Sequence, residues 1–189
     1  SSDRGTIGRN FNEPESSSLL GDGAAAVLIE KNNSSKKTLH YWKMNTWSQG
    51  ANLTEVRGGG THLHPQNPTT KLEDNLFSMD GPSIYKIARK KAYKMVMETF
   101  KETSFNKEDV SWVVPHQASL KAIDAYHEYG RFDKEKVINI VENTGNCVAA
   151  SVPMAFVTAV NDGRINRGDL IYFIGTGAGL SMACALITY

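Results

Sequence analysis

The run from Val148 to Val160 constrains the fold of this chain more than any other segment. Its side chains are apolar on nearly every face, so a helix formed here must be buried on all sides. Asp162 and Gly163 end the run. A helix that is apolar all round needs other elements packed around it, which favours a layered domain with one sizeable core.

Short apolar segments that read as β-strands lie on both sides of this run. The predicted strands cover residues 24–30, 39–47, 112–114, 137–141, 170–174 and 180–189. The polar residues 32–35 are typical of a turn between the first two strands. Residues 48–81 are rich in Gly, Pro, Asn and Thr and predict a long excursion over the surface.

Two further segments have the periodicity of helices. From Pro82 to Phe100 apolar residues recur at three- and four-residue spacing, which predicts an amphipathic helix. Residues 117–129 predict a second helix that stops at Gly130. Alternation of strands and helices indicates an α/β fold, with a mixed β-sheet layered with helices and one buried central helix.

Composition excludes some partners and compartments. The 21 basic and 20 acidic residues give a formal charge of +1, so no broad field favours nucleic acid or an anionic membrane. Cys147 and Cys184 have apolar or small neighbours, which suits a reduced cytoplasmic protein. Residues 1–18 form a polar lead-in without the apolar segment of a secretion signal. We therefore expect one domain over residues 19–189, with no membrane span.

Three segments place polar or backbone donor groups at the ends of predicted buried elements. His116 follows a strand, and it is either a core histidine or a functional one. Asn146 precedes the apolar run, where it is either a helix N-cap or a functional amide. The glycine-rich bend 175–179 resembles a dinucleotide loop, but only ten residues follow it, too few for the required helix and further unit.

Two other groupings are weaker candidates. Cys147 and His116 could form a nucleophilic pair, although a small thiol beside Val148 is more typical of packing. His62 and His64 have no carboxylate or cysteine nearby at ligand-like spacing, so a surface loop is favoured and no metal is expected.

Taken together, these segments resemble the β-ketoacyl-acyl-carrier-protein synthase III family of the thiolase-like superfamily. Residues 20–26 (LGDGAAA) resemble its GDGAGA strand, and residues 112–119 (WVVPHQAS) its VPHQAN segment. Residues 145–153 (GNCVAASVP) resemble GNTSAASVP, and residues 175–180 (GTGAGL) the closing GFGGGF-type loop. The resemblance implies the C-terminal half of a thiolase-like fold, related to a missing N-terminal half by a pseudo-twofold axis.

The resemblance also implies a set of site residues. Two members of the family's Cys-His-Asn triad map onto His116 and Asn146, whereas its cysteine belongs to the N-terminal half. Cys147 falls where the family usually has threonine, which argues against it as the nucleophile. A backbone N–H near Ala178 would complete an oxyanion hole, and Lys121 and Gln117 would contact the substrate or the carrier protein.

The activity implied is a decarboxylative Claisen condensation of an acyl thioester with a malonyl thioester. The implied partners are acyl-CoA, malonyl-ACP, the acyl carrier protein and the N-terminal half, in a homodimer once complete. No cofactor is expected beyond these thioesters, and the isolated chain should be inactive. Ser119 replaces the usual asparagine and Thr176 the usual phenylalanine, which leaves acyl preference open. The alternatives are a non-catalytic or heteromeric subunit, or a head-to-head Claisen or polyketide-starter enzyme.

Overall fold

A computed structural model describes residues 1–31, 33 and 38–189. The predicted turn at 32–35 lies almost entirely outside these described residues. The strands are β1 (Ser2–Arg4), β2 (Asp22–Ala24), β3 (Leu39–Thr46), β4 (Thr54–Val56), β5 (Phe77–Met79), β6 (Trp112–Pro115), β7 (Leu170–Gly177) and β8 (Ser181–Thr188). The α-helices are α1 (Pro14–Ser17), α2 (Gly81–Glu102), α3 (Leu120–Glu128), α4 (Val141–Thr144) and α5 (Ser151–Asn161).

A four-stranded sheet in the order β3-β8-β7-β6 forms the middle layer of the molecule. β6 runs parallel to β7, and the other neighbouring pairs are antiparallel, so the predicted mixed sheet is confirmed. Side chains alternate along β7. Tyr172 and Ile174 join a core cluster with α2 and α3, whereas Ile171 joins a second cluster with α5. The sheet therefore lies between α2 and α3 on one face and α5 on the other.

Helix α2 confirms the amphipathic prediction and extends it by one residue at its start and two at its end. Asp80 is the N-cap, and its carboxylate accepts a hydrogen bond of 3.1 Å from the backbone N–H of Ser83. Pro82 occupies the first turn, where its missing N–H costs nothing. The buried Met95, Val96 and Thr99 lie at three- and four-residue spacing and face the sheet.

The second predicted helix begins three residues later than expected. Ser119 is the N-cap of α3, and its hydroxyl accepts a hydrogen bond of 3.2 Å from the N–H of Ala122. Residues 117 and 118 are therefore in a connection between β6 and α3. This connection leaves the side chain of Gln117 free to reach a different segment.

The strand predicted at 137–141 is wrong. The segment makes one isolated bridge, between Val113 and Val137, and Val141 already begins α4. The N–H of Ile138 still donates to the carbonyl of Val113 in β6 at 2.9 Å, and the side-chain amide of Gln117 binds the backbone groups that follow. Its Nε2 donates to the carbonyl of Ile138 at 3.1 Å, and its Oε1 accepts from the N–H of Ile140 at 2.9 Å.

The strand predicted at 24–30 is also wrong beyond its first residue. β2 ends at Ala24, and the apolar side chains of Val27, Leu28 and Ile29 are 49%, 92% and 88% exposed. The short β1 pairs only with Asp22–Ala24. Within the described residues no strand lies beside 26–30, so this apolar sequence has no backbone partner.

The apolar run around Val148 forms a short 3₁₀ turn, Val148–Ala150, followed by α5. Ser151, Ala155 and Ala159 are the fully buried positions of α5. They recur every four residues and therefore lie on one face of the helix. Their small side chains let α5 approach the sheet closely. Val148, Ala149 and Thr158 are exposed, so the run is not buried on all sides as expected.

Residues 1–18 are tied to the rest of the chain at several points. Asp3 accepts a hydrogen bond of 2.8 Å from the N–H of Ala150. The Glu13 carboxylate accepts from the Ser78 hydroxyl at 2.9 Å and from the Met79 N–H at 3.3 Å. The lead-in segment is thus part of the packed structure. In the part of the chain that the structure describes, no helix combines the length and apolarity needed to cross a membrane.

Candidate active site

His116 lies at the carboxyl edge of the sheet, directly after β6. Its backbone N–H donates to the carbonyl of Ile174 at 2.8 Å, which extends the pairing between β6 and β7. The imidazole makes no hydrogen bond with any described residue. Burial lowers the pKa of His116 to about 4, because the charged form loses its hydration. The ring is therefore neutral at ordinary pH and keeps an N–H that can donate.

Asn146 is held by backbone hydrogen bonds to the segment before β2. Its N–H donates to the carbonyl of Leu19 at 2.7 Å, and its carbonyl accepts from the N–H of Gly21 at 2.9 Å. Its side-chain Oδ1 accepts from the N–H of Val148 at 2.9 Å. This last bond fixes the orientation of the carboxamide. Its NH₂ group is then the end that can donate a hydrogen bond to a ligand.

The loop that carries Asn146 depends on two close backbone approaches. A Cβ at Gly21 would overlap the carbonyl oxygen of Thr144, and one at Gly145 would lie 2.8 Å from the carbonyl oxygen of Leu19. Val148 adopts a φ of 49°, which is strained for a β-branched residue. Strain of this kind concentrates at functional sites.

His116 and Asn146 line one cavity of about 630 Å³. Thr176 and Ala178, from the glycine-rich bend between β7 and β8, line the same cavity. Lys121 contributes to its edge. Of the five residues that the sequence predicts to form a site, the structure thus brings together four: His116, Asn146, Ala178 and Lys121.

Gln117 is the exception, and its predicted contact with a substrate or carrier protein is wrong. The residue is fully buried and does not line the cavity. Both ends of its amide are committed, because Nε2 also donates to the carbonyl of Pro115 at 2.8 Å. Gln117 therefore holds the β6–α3 connection, which places His116.

Neither cysteine of the chain lines the cavity. Cys147 is buried, and its thiol donates to the carbonyl of Thr144 at 3.4 Å. Burial raises the pKa of Cys147, with smaller contributions from Asp22 and Asp3. A raised pKa disfavours the thiolate, the form that acts as a nucleophile. Cys184 is buried in the core beside α2 and α3.

Sequence reasoning named Lys121 but missed Arg89 and the two tyrosines, Tyr85 and Tyr129, that line the cavity with it. The guanidinium carbon of Arg89 lies 4.4 Å from the ring centroid of Tyr129, and the Lys121 Nζ lies 5.0 Å from that of Tyr85. Both distances fit cation–π contacts. The four-residue spacing of Tyr85 and Arg89 could have indicated this pair from the sequence, since it places both residues on one face of α2.

No group of three metal-ligating side chains occurs among residues 1–31, 33 and 38–189. His64 uses its ring nitrogen in a local turn, where Nδ1 accepts a hydrogen bond of 3.1 Å from the N–H of Gln66. His62 is exposed. The His62–His64 pair therefore lies in the surface excursion that the sequence predicts.

The mixed sheet, with His116 at its carboxyl edge and Asn146 on the same cavity, is typical of a domain of the thiolase-like class. Residues 100–189 match the family model described as 3-oxoacyl-[acyl-carrier-protein (ACP)] synthase III C terminal. The β-ketoacyl-[acyl-carrier-protein] synthase III of Vesicomyosocius okutanii subsp. Calyptogena okutanii is 36% identical over 180 residues, which cover 95% of this chain and 54% of the relative. Residues 100–189 thus match the C-terminal region of the β-ketoacyl-acyl-carrier-protein synthase III family, and the chain as a whole is similar to members of that family.

Solved structures agree with this placement. The β-ketoacyl-acyl-carrier-protein synthase III of Thermus thermophilus is 27% identical with a TM-score of 0.77, covering 95% of this chain and 55% of its own. The 3-oxoacyl-(acyl carrier protein) synthase III from Pseudomonas aeruginosa PAO1, at 22% identity, shows the fold with a TM-score of 0.86 over 100% of this chain and 56% of its own. The chain spans about half the length of the curated relatives that it matches.

Proposed function

We propose that this chain supplies the enolate-stabilising half of a condensing site, which joins an acyl thioester to a malonyl thioester with loss of carbon dioxide. The observation that carries the proposal is the convergence of His116 and Asn146 on one cavity. Family relatives are named as β-ketoacyl-acyl-carrier-protein synthases III, which supports an acyltransferase that acts in fatty-acid biosynthesis.

The chemistry requires two neutral donors in a site that excludes water. When the malonyl thioester loses its carboxylate as carbon dioxide, the electron pair passes to the α-carbon and the thioester oxygen. Donors placed at that oxygen stabilise the enolate and lower the barrier. The neutral imidazole of His116 and the NH₂ group of Asn146 would be these donors. A protonated imidazole is disfavoured here by the low pKa of His116.

The nucleophile would come from residues outside this chain. Neither Cys147 nor Cys184 lines the cavity, and we expect acyl-CoA to leave both thiols of the isolated chain unmodified. The attacking cysteine would be supplied by a unit that resembles the part of the relatives that this chain does not match. The backbone N–H of Ala178, in the bend beside the cavity, would receive the oxyanion formed when that cysteine is acylated.

Lys121 is proposed to meet the phosphate of a pantetheine arm or coenzyme A at the cavity edge. Its ammonium is exposed on α3 and lies over the ring of Tyr85. A cation at the mouth of a deep apolar cavity suits a thioester carrier, whose negative charge stays outside while the acyl group enters.

The test uses the protein in which this chain is combined with the unit that contributes the cysteine. We expect His116→Ala and Asn146→Ala each to reduce kcat for malonyl decarboxylation about a hundredfold or more. The matched controls are His62→Ala and Asn143→Ala, both at exposed positions, which should retain parental activity. Unchanged decarboxylation in the His116 and Asn146 variants contradicts the proposal, as does acyl labelling of Cys147.

A subunit that lends His116 and Asn146 to a separate partner chain fits the same cavity. The two forms are distinguished by the coding sequence before Ser1. A continuous reading frame with a cysteine at the start of a helix supports a single enzyme, whereas its absence supports the heteromeric subunit.

A further inference from the structure

The turn that leads from Asn146 into α5 determines how the carboxamide of Asn146 is oriented. The N–H of Val148 donates to the side-chain Oδ1 of Asn146 at 2.9 Å, so the position of Val148 decides which way the carboxamide points. Val148 is the first residue of the 3₁₀ turn Val148–Ala150, which continues directly into α5. A contact that fixes this turn therefore also fixes the NH₂ group of Asn146.

Val148 does not adopt its conformation by intrinsic preference. Its φ of 49° lies in the left-handed region, which a β-branched residue avoids. A strained residue of this kind persists only where the surrounding structure determines its conformation. The hydrogen bond to Asn146 restrains the turn before Val148, and the residues after Val148 require a restraint of their own.

Asp3, in β1, supplies that restraint although it lies 147 residues away in sequence. Its Oδ2 accepts a hydrogen bond of 2.8 Å from the N–H of Ala150, which also donates to the carbonyl of Cys147 at 3.0 Å within the turn. Ala150 directly precedes α5 and has no side-chain acceptor of its own. Asp3 thus takes the place of a local cap, and its carboxylate also interacts favourably with the positive end of the helix dipole.

The backbone around Asp3 lies against the same turn. Asp3 pairs with Gly23 in the β1–β2 ladder. After β1 the chain remains close, because a Cβ at Gly5 would lie 3.5 Å from Cγ2 of Val148 and 3.6 Å from the carbonyl oxygen of Asn146. The carboxylate of Asp3 is therefore presented to the turn by backbone that already packs on it.

A second contact holds this segment independently of Asp3. The backbone N–H and the hydroxyl of Thr6 donate to the two carboxylate oxygens of Asp22, at 2.8 and 2.6 Å. This contact joins the chain after β1 to β2 and does not involve the turn before α5. Removal of the Asp3 carboxylate therefore takes away the contact to Ala150 and leaves the Thr6–Asp22 contact in place.

We propose that Asp3 is a positioning residue for Asn146: it holds the turn Val148–Ala150 in the conformation that directs the NH₂ group of Asn146 into the cavity. The inference rests on the proposed function for the role of that NH₂ group, but not for the hydrogen bonds that place it. Asp3 does not line the cavity, so it acts only through the backbone of Ala150.

The first test observes the side-chain NH₂ group of Asn146 by nitrogen-15 NMR in the 189-residue chain, with Asn146→Asp used to assign its signal. In the parent we expect a rigid group with a high heteronuclear NOE ratio. Asp3→Ala should lower this ratio toward that of the exposed Asn143. The milder Asp3→Ser should do the same, because its hydroxyl ends one bond short of the carboxylate oxygen. Asp3→Asn retains an acceptor and should keep the parental ratio.

Two controls separate this role from a general loosening of the lead-in segment. Thr6→Val removes the hydroxyl bond to Asp22 and retains the Asp3–Ala150 contact, so the Asn146 signal should stay parental. Asp133→Ala removes a carboxylate at an exposed position and should also leave it unchanged. The inference is overturned if Asp3→Ala and Asp3→Ser keep the parental ratio at Asn146, or if Thr6→Val lowers it as much as they do.

The second test measures the two half-reactions of the combined protein. In the proposed reaction malonyl decarboxylation uses the NH₂ group of Asn146, so Asp3→Ala should lower its kcat about tenfold or more, and Asp3→Asn should restore most of it. Acylation of the cysteine by acyl-CoA does not use that group and should keep its parental rate.

The two tests fail separately from the proposed function. An Asn146 amide that is rigid only when Asp3 is present, in a combined protein without decarboxylation, would remove the proposed reaction and leave the positioning role. Parental decarboxylation by Asp3→Ala, in a protein where Asn146→Ala loses it, would remove only the positioning role.

Discussion

His116 combines a position at the end of a strand with surroundings that keep it uncharged. The folded pKa of about 4 lies below the ordinary value of 6.5, so the unfolded chain takes up a proton first as the pH falls. The stability that the neutral imidazole contributes is fully present above the ordinary pKa of 6.5. It is lost as the pH falls toward the folded pKa of about 4. Acidification therefore destabilises the fold through this residue.

We expect the free energy of unfolding to fall by roughly 1–2 kcal/mol through His116 alone between pH about 7.5 and pH about 5. His116→Phe should lack this part of the pH dependence, because it has no group to titrate. Urea unfolding of both proteins at the two pH values measures the difference. His62→Phe should behave as the parent, and equal pH dependence in the parent and His116→Phe would refute the assignment.

Gln117 has a structural role, although its neighbour His116 is a candidate catalytic residue. Its amide binds the carbonyl of Ile138 and the N–H of Ile140 in the interior. Gln117→Leu should lower the free energy of unfolding by about 2–4 kcal/mol, since it removes the side-chain partner of three backbone groups, the carbonyls of Pro115 and Ile138 and the N–H of Ile140. Gln66→Leu, at an exposed position, should change it by less than about 0.5 kcal/mol. Similar denaturation midpoints for the two variants would contradict this role.

At the scale of elements, the loop with Asn146 is positioned by a glycine distant in sequence. Gly21, just before β2, approaches the carbonyl of Thr144 so closely that no side chain fits. Gly21→Ala should lower the free energy of unfolding by about 2 kcal/mol or more, because backbone must move. Thermal unfolding with Gly60→Ala as the control tests this, as a Cβ at Gly60 meets nothing within 4 Å. If both substitutions leave the midpoint unchanged, the close approach is not required.

The predicted elements that proved right are those specified by local signals. Helix α2 has a capping aspartate, a proline in its first turn and a regular apolar face. The β7–β8 hairpin has two apolar runs around a glycine-rich bend. The 137–141 prediction failed because backbone pairing with β6 stops at Ile138, where the side chain of Gln117 binds the next backbone groups and α4 then begins at Val141.

At the scale of the whole molecule, the apolar segment after β2 lacks a cover within the described residues. Leu28 and Ile29 are 92% and 88% exposed, and neighbouring exposed apolar residues of this kind mark interaction surfaces. The proposed second unit of the condensing enzyme would supply such a cover. Without it, the same surface favours association between copies.

We therefore expect the isolated 189-residue chain to associate as its concentration rises, and the double substitution Leu28→Glu and Ile29→Glu to reduce that association. Light scattering over a dilution series measures the apparent mass. Leu72→Glu is the control, because a single exposed apolar residue is ordinary on a protein surface. A parental chain that stays monomeric throughout would refute the expectation.

The sequence by itself determined the class of fold and the positions from which chemistry is proposed. Periodicity and capping residues are local properties, and the segments around His116 and Asn146 carry the family resemblance directly. Only the tertiary structure decided that these residues share a cavity and that Gln117 serves the backbone. It also decided that four alanines of α2 and α3, at positions 88, 92, 122 and 125, line the same cavity. Each of these depends on atoms that chain folding brings together from distant positions, and sequence spacing does not encode those distances.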